Sequence, residues 1–236
     1  MKRLRVCMYH KVSEGHKDFL TVDRMQFNEQ IEFLSKHYNL ISFSDLNSYL
    51  QDKKSLPDNA LLITFDDGYY DNFTNAYPIL KKHNAPFGIF LVSEFIGKEV
   101  EHDGVIQKFL GVDELNEMKH LAQYACHSRR HENINNLSET DFTDEIKGCL
   151  NQLKALNIDL QPFWAYTYGA YPKKHPEKMQ KLIKSFESCD IKAAFRIGNR
   201  INNLPLKAPF RIERLDIRGD EGFLKFSFKV RFGKIF

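Results

Sequence analysis

The chain is poor in the residues that force a special architecture. Its four cysteines, Cys7, Cys126, Cys149 and Cys189, are scattered through 236 residues. Without a close pair there is no zinc ribbon, thioredoxin-type dithiol or disulfide framework to read. They are expected to be reduced thiols, most of them in the core, which points to the cytoplasm. Twelve glycines and eight prolines form no Gly/Ser-rich or Pro-rich tract, so no linker divides the chain and residues 1–236 are expected to be one domain. No apolar stretch approaches the roughly 20 residues that a membrane-spanning helix requires. The opening "MKRLRVCMY" is basic, but its apolar run is short and no small-residue cleavage site follows, so a secretory signal is not expected. An excess of one charge is missing too. Against 31 acidic residues stand 34 Lys and Arg, a formal net charge of +3, which gives no bulk affinity for nucleic acid.

What is present is an alternation of strand-like and helix-like segments. Short apolar runs recur as "LRVCMY", "ALLITF", "PFGIFLV", "QYAC", "PFWAY" and "KAAFRI", most of them separated by stretches of helical period, the pattern of βα units. Asp23 or Thr21 can cap a helix running through Tyr38, and Ser44 can cap "DLNSYL". Ser138 with Asp141 makes a capping-box-like start for a helix with Phe142, Ile146, Leu150 and Leu153 on one face, and Pro176 opens another toward Ser188. The fold class expected is α/β, with parallel strands whose carboxyl ends share one rim. That rule gathers Tyr9–His10, Asp66–Asp67, His127 and Tyr168–Gly169, each of which follows an apolar run. The C-terminal "FLKFSFKVRFGKIF" alternates apolar and basic residues. It is expected to be an edge strand, with a basic amphipathic face resting on anionic lipid as the alternative.

Two segments on that rim carry metal-ligand chemistry when taken together. In "TFDDG", Gly68 can supply the positive φ of a sharp turn that leaves Asp66 and Asp67 exposed above the sheet, although the same five residues read equally as a plain Asp–Gly turn. In "CHSRRH", His127 and His131 are four apart, so one helical turn could aim both imidazoles at one point, whereas Arg129 and Arg130 between them suit a solvated face. One Asp and two His make a facial set for a divalent cation, zinc first, with cobalt or nickel as alternatives. The cation neutralises one carboxylate and leaves the other as a base. This assigns Asp67, His127 and His131 as ligands and Asp66 as base.

These motifs, in this order and spacing, resemble the polysaccharide deacetylases of the NodB-homology, carbohydrate esterase 4 type. "TFDDG" is similar to the family's first motif, "HSRRH" to its second, and "AYTYG" to its third, with "FRIERLDI" similar to its late Arg-bearing strand. The resemblance covers residues 4 to about 218. It implies a distorted (β/α) barrel, a divalent metal, an N-acetylated sugar or glycan as substrate, and hydrolysis of a linear amide C–N bond. The same resemblance makes the backbone amide of Tyr168 an oxyanion donor. Thr167 stands where the third motif usually has Pro, which predicts a less rigid turn, and Trp164 stands where Phe is common. The late Leu-x-His that supplies a general acid in many members is missing, since the last histidine is His175. The poly-N-acetylglucosamine deacetylase branch carries its acid on the first strand, and "CMYHKV" fits that arrangement at His10, with His175 as the rival. Arg214 is expected to pair with Asp66, Arg211 being the rival for that role. A lipid-linked or nucleotide-linked sugar of surface-polysaccharide assembly is the substrate that suits a cytoplasmic enzyme, possible membrane contact included. A carbohydrate-binding pseudoenzyme on the same barrel is the competing reading.

Overall fold

A computed structural model describes residues 2–102 and 104–233. Seven parallel strands form a closed ring: β1 (Arg3–Tyr9), β2 (Ala60–Asp67), β3 (Phe87–Val92), β4 (Ala122–Ser128), β5 (Leu160–Ala165), β6 (Ala193–Ile197) and β7 (Ile212–Asp216). They follow one another around the barrel in chain order, and β7 returns to pair with β1. The β1–β2 joint runs from Leu4↔Ala60 to Tyr9↔Phe65, whereas the closing joint has only Cys7↔Leu215 and Met8↔Asp216. Among the described residues seven α-helices accompany the ring: α1 (Arg24–His37), α2 (Phe43–Leu50), α3 (Tyr77–Lys82), α4 (Val112–Met118), α5 (Glu139–Ala155), α6 (Pro176–Ser188) and α7 (Phe223–Phe232).

Strand alternation sorts the apolar residues into two layers. Leu4, Val6, Leu62, Phe90, Ala125, Phe163, Ala165, Phe195 and Ile212 share one buried cluster with Phe43 and Leu46 of α2, the helix that plugs the barrel. The plug fits because residue 88 is glycine: a Cβ there would lie 2.1 Å from the Phe43 ring. The opposite parity, with Cys7, Tyr9, Leu61, Ile63 and Phe65, packs into a second cluster with Phe27 and Ile31 of α1.

Several helix starts follow local chemistry. Asp23 caps α1 by accepting from the Met25 and Gln26 amides, and Ser138 with Asp141 closes a capping box on α5. For α2 the cap is Ser42 rather than Ser44, because Asp45 completes a box with Ser42 and the Ser44 amide is taken by the Gln123 side chain. The C-terminal segment is a correction. Phe223–Phe232 is a helix, not an edge strand, and the last three residues of that stretch lie outside the described residues. Its sequence satisfies both periods, since Phe223, Phe226 and Val230 recur at helical spacing. The ring is already closed, so context chooses the period that lays Phe223 and Phe226 on Phe33 of α1.

Candidate active site

The inward parity of the strands continues past the apolar layer to the mouth of the barrel. In β2 the sequence Leu62, Thr64, Asp66 keeps one face, in β7 Ile212, Arg214, Asp216, in β4 Ala125, His127, and in β1 Val6, Met8 with His10 next in line. Asp67 would by the same rule point outward. Its φ of +70° and that of +79° at Gly68 turn the chain sharply, the Gly68 amide donating to the Asp66 carbonyl at 2.9 Å, and both carboxylates come to serve the mouth. They do not stand clear of the sheet as expected. Each is only 3% exposed.

Buried carboxylates need partners. For Asp66 it is Arg214: Nη1 donates to Oδ1 at 2.6 Å and Nη2 to Oδ2 at 2.7 Å, with the arginine fully buried and its guanidinium 5.4 Å from the Phe90 ring centroid. Removing one member of such a pair costs about 3–5 kcal/mol. Burial by itself would raise the Asp66 carboxyl, but Arg214 and then His127 outweigh it and hold it below the ordinary carboxylate range. Arg211 is exposed on the turn Pro209–Arg211 before β7.

Asp67 has a different kind of neighbour. Its Oδ1 lies 3.3 Å from Nε2 of His127 and 3.1 Å from Nε2 of His131. The His127 ring is fixed by its other nitrogen, which must carry the proton it donates to the Ala165 carbonyl at 2.9 Å, leaving Nε2 as an electron-pair donor in the neutral ring. The ligand atoms of Asp67, His127 and His131 all lie within 4.8 Å of one another. A tetrahedral zinc with bonds of about 2.0–2.1 Å would hold two donor atoms about 3.3 Å apart, so this buried donor set fits a divalent cation. The electrostatics agree. Against burial, His131 and His127 hold the Asp67 carboxyl well below its usual range, and Asp66 and Asp67 raise His127 despite its burial.

The two imidazoles do not arrive on a helical turn as expected. His127 belongs to β4, while His131 sits in the loop after it with φ +64° and its amide donating to Ser128 Oγ at 2.6 Å. Tyr168, also at positive φ (+56°), lays its ring edge-on to His131 with centroids 4.7 Å apart and keeps 58% of its surface exposed. Thr167 ties that turn down rather than loosening it, since its buried hydroxyl donates to the Glu132 carbonyl at 2.6 Å, a bond proline cannot make. Trp164 packs on Phe186 of α6.

His10 is half-buried just past β1, and its charge is felt by both Asp66 and Asp216. Its carbonyl accepts from Asn72 Nδ2 at 2.8 Å, and the same amide nitrogen donates to Asp71 at 2.9 Å. His175 lies exposed before α6, in a groove lined by Asn135, Tyr171 and Lys178. Asp216 and Asn72 were not singled out from the sequence. For Asp216 a signal existed, because it sits two residues beyond Arg214 on the same face. Asn72 has none, as its partner is 62 positions away.

Residues 53–185 match the polysaccharide deacetylase family. The chain belongs to that family. The Bacillus subtilis protein YxkH is 31% identical over 181 residues, 76% of this chain and 61% of that protein. A poly-beta-1,6-N-acetyl-D-glucosamine N-deacetylase of Staphylococcus aureus is 31% identical over 129 residues, 54% of this chain and 42% of that enzyme. The chain thus spans less than two thirds of either relative. Two solved structures share the barrel. IcaB from Ammonifex degensii superposes with a TM-score of 0.78 at 22% identity, over 93% of this chain and 94% of that one. The Streptococcus pyogenes deacetylase PplD does so at 0.77 and 19% identity, over 97% and 98%. At these identities the likeness is one of fold.

Proposed function

We propose that residues 1–236 act as one catalytic domain, a metal-dependent hydrolase that removes an N-acetyl, or another N-acyl, group from an amino sugar. The observation that carries this is the convergence of Asp67, His127 and His131 beside the Arg214-paired Asp66, in a chain whose family and relatives are named for deacetylation. A divalent cation held by the three ligands, with zinc the first choice and cobalt or nickel next, supplies Lewis acidity toward the acyl carbonyl and water. Asp66, ionised through Arg214, takes the proton of the attacking water. The Tyr168 amide donates to the oxyanion as oxygen adds to the acyl carbon. His10 gives a proton to the nitrogen as the C–N bond breaks, releasing acetate, or formate from a formyl group, and a free amine.

For the substrate we favour a lipid-linked or nucleotide-linked sugar in surface-polysaccharide biosynthesis. A groove of about 960 Å³ between the segment that follows the ligand loop in sequence and α6 is lined by Lys173, Lys174, Lys178 and Lys181 with Glu139 and Glu177. Lys178 is bonded to the Asn135 and Leu137 carbonyls and Lys181 to Glu139, so Lys173 and Lys174 are the groups that would meet a phosphate. The four cysteines are free thiols, in keeping with the cytoplasm. On α7 the outward Leu224, Phe228 and Phe232 beside Lys225 and Arg231 support peripheral contact with an anionic membrane at its inner face. The test is acetate release from a panel of neutral N-acetylglucosamine oligomers, nucleotide-linked and lipid-linked N-acetyl sugars, with and without a chelator. Chelator-sensitive release is expected, fastest from the phosphate-bearing donors. Tight binding of these sugars with no release under any metal would instead establish the pseudoenzyme.

A further inference from the structure

Glu145 is a charged residue placed where only a strong partner justifies it. It lies on α5 and is 2% exposed, yet no helix neighbour accounts for its carboxylate. The partners come from the loop that joins the two imidazoles. Oε2 accepts from the Arg129 amide at 3.0 Å and from the Arg130 amide at 3.1 Å, and Oε1 lies 2.7 Å from Nη2 of Arg130. One carboxylate therefore gathers both residues that stand immediately before His131, through charge-assisted bonds, which are the strong class.

A second feature of the same helix face serves the same loop. Gly148 is three positions on, and a Cβ there would lie 2.7 Å from Cδ of Arg129. The missing side chain lets Arg129 lie across α5, where its Nε reaches Glu94 at 2.8 Å while its carbonyl accepts from the Glu94 amide at 3.0 Å. Carboxylate and gap sit on one side of the helix, at i and i+3.

From this geometry we infer that Glu145 and Gly148 form a seat on α5 that sets the spacing of His127 and His131, making Glu145 a positioning residue for metal binding, though it does not touch the metal itself. The inference rests on the metal reading above. Metal ligands held by an outer layer of hydrogen bonds typically lose 10- to 100-fold in affinity when that layer is removed. The loop here needs such a layer, because its His131 backbone is in the left-handed region and would relax if released.

The experiment is titration of the metal-stripped protein with Zn²⁺, read by calorimetry, alongside thermal melting of the metal-free forms. Glu145→Leu is expected to weaken zinc binding 10- to 100-fold. Glu145→Gln, whose amide oxygen still accepts both N–H groups, should lose less than tenfold. Gly148→Ala adds a good helix former but crowds Arg129, so its metal-free melting temperature should hold or rise while zinc affinity falls several-fold. Ile146→Ala, buried on the same helix, should lower the melting temperature and leave affinity within twofold. Wild-type affinity in both Glu145→Leu and Gly148→Ala would overturn the seat and leave the metal centre standing. An equal loss of affinity in Ile146→Ala would also overturn it, by reducing the effect to general destabilisation. If the wild-type protein binds no zinc, cobalt or nickel, the metal reading falls and the seat falls with it.

Discussion

Asp67, His127 and His131 are at most 9% exposed at one wall of the barrel mouth, with the His127 ring pinned by the Ala165 carbonyl of β5 and the His131 amide by Ser128 of β4. The wall made by the end of β1, the strand that neighbours β2, is more open: His10 there is half-buried, and β1 also makes the short closing joint with β7. The two walls face different demands. A ligand set must hold one geometry at all times, so burial and backbone strain at Asp67 and His131 can be tolerated there. A proton donor must trade protons with water and with a departing amine, so it needs an ordinary strand end and some access to solvent. Under the proposed mechanism the mouth would have a fixed wall that polarises and an open wall that delivers.

The largest effect should come from breaking the fixed wall. His131→Ala is expected to lose both bound metal and deacetylation, measured as metal per chain and acetate per minute. Full metal occupancy in that variant would remove His131 from the set. Next comes Asp66→Asn, which should keep its metal and lose rate toward the upper end of the roughly 10²- to 10⁴-fold that a positioned base supplies. Loss of metal with the metal-free melting temperature unchanged would mean that the two aspartates have exchanged roles. On the open wall, His10→Ala should keep metal and fold but slow amide cleavage by roughly 10²-fold or more, with a smaller loss on an aryl acetate whose leaving group departs without a proton. His175→Ala, out in the lysine groove, should do neither, and a dead His175→Ala beside an active His10→Ala would move the donor to that side.

The smallest effect separates the walls by pH. Burial pushes Asp71, beside the His10 segment, up to about 7 from an ordinary value of 3.8. A carboxyl raised on folding lends its stability below about 3.8, and that contribution fades as pH rises and is gone above about 7. Asp71→Asn cannot ionise, so its melting temperature should gain on the wild type between pH 4 and pH 8. A constant gap across that range would show that Asp71 does not titrate as described.

The barrel and the residues at its mouth were largely legible because both rest on short-range patterns. Strand runs ended at "TFDD" and "CHS", and the rule that parallel strands share one carboxyl rim gathered Asp66, Asp67 and His127 there, whereas Arg214 was reached only through the family resemblance of "FRIERLDI". What could not be read depends on distant partners or on context. Asn72 meets His10, and Glu145 meets the Arg129–Arg130 amides, only through the folded chain. Thr167 looked like a loss because its acceptor, the Glu132 carbonyl, leaves no trace in composition. At Phe223–Phe232 the pattern allowed two periods, and the closed ring decided between them.

The short seam between β1 and β7 also bears on the order of assembly. Asp66 and its guanidinium are 148 positions apart, and β7 is the last of the seven ring strands in chain order. Until it docks, Asp66 lacks the Arg214 guanidinium and β1 lacks one of its two parallel neighbours in the ring. Long-range contacts of this kind form late and slowly. The step that closes the ring is therefore the same step that gives Asp66 its counter-ion, so under the proposed mechanism the base is complete only once the whole ring exists.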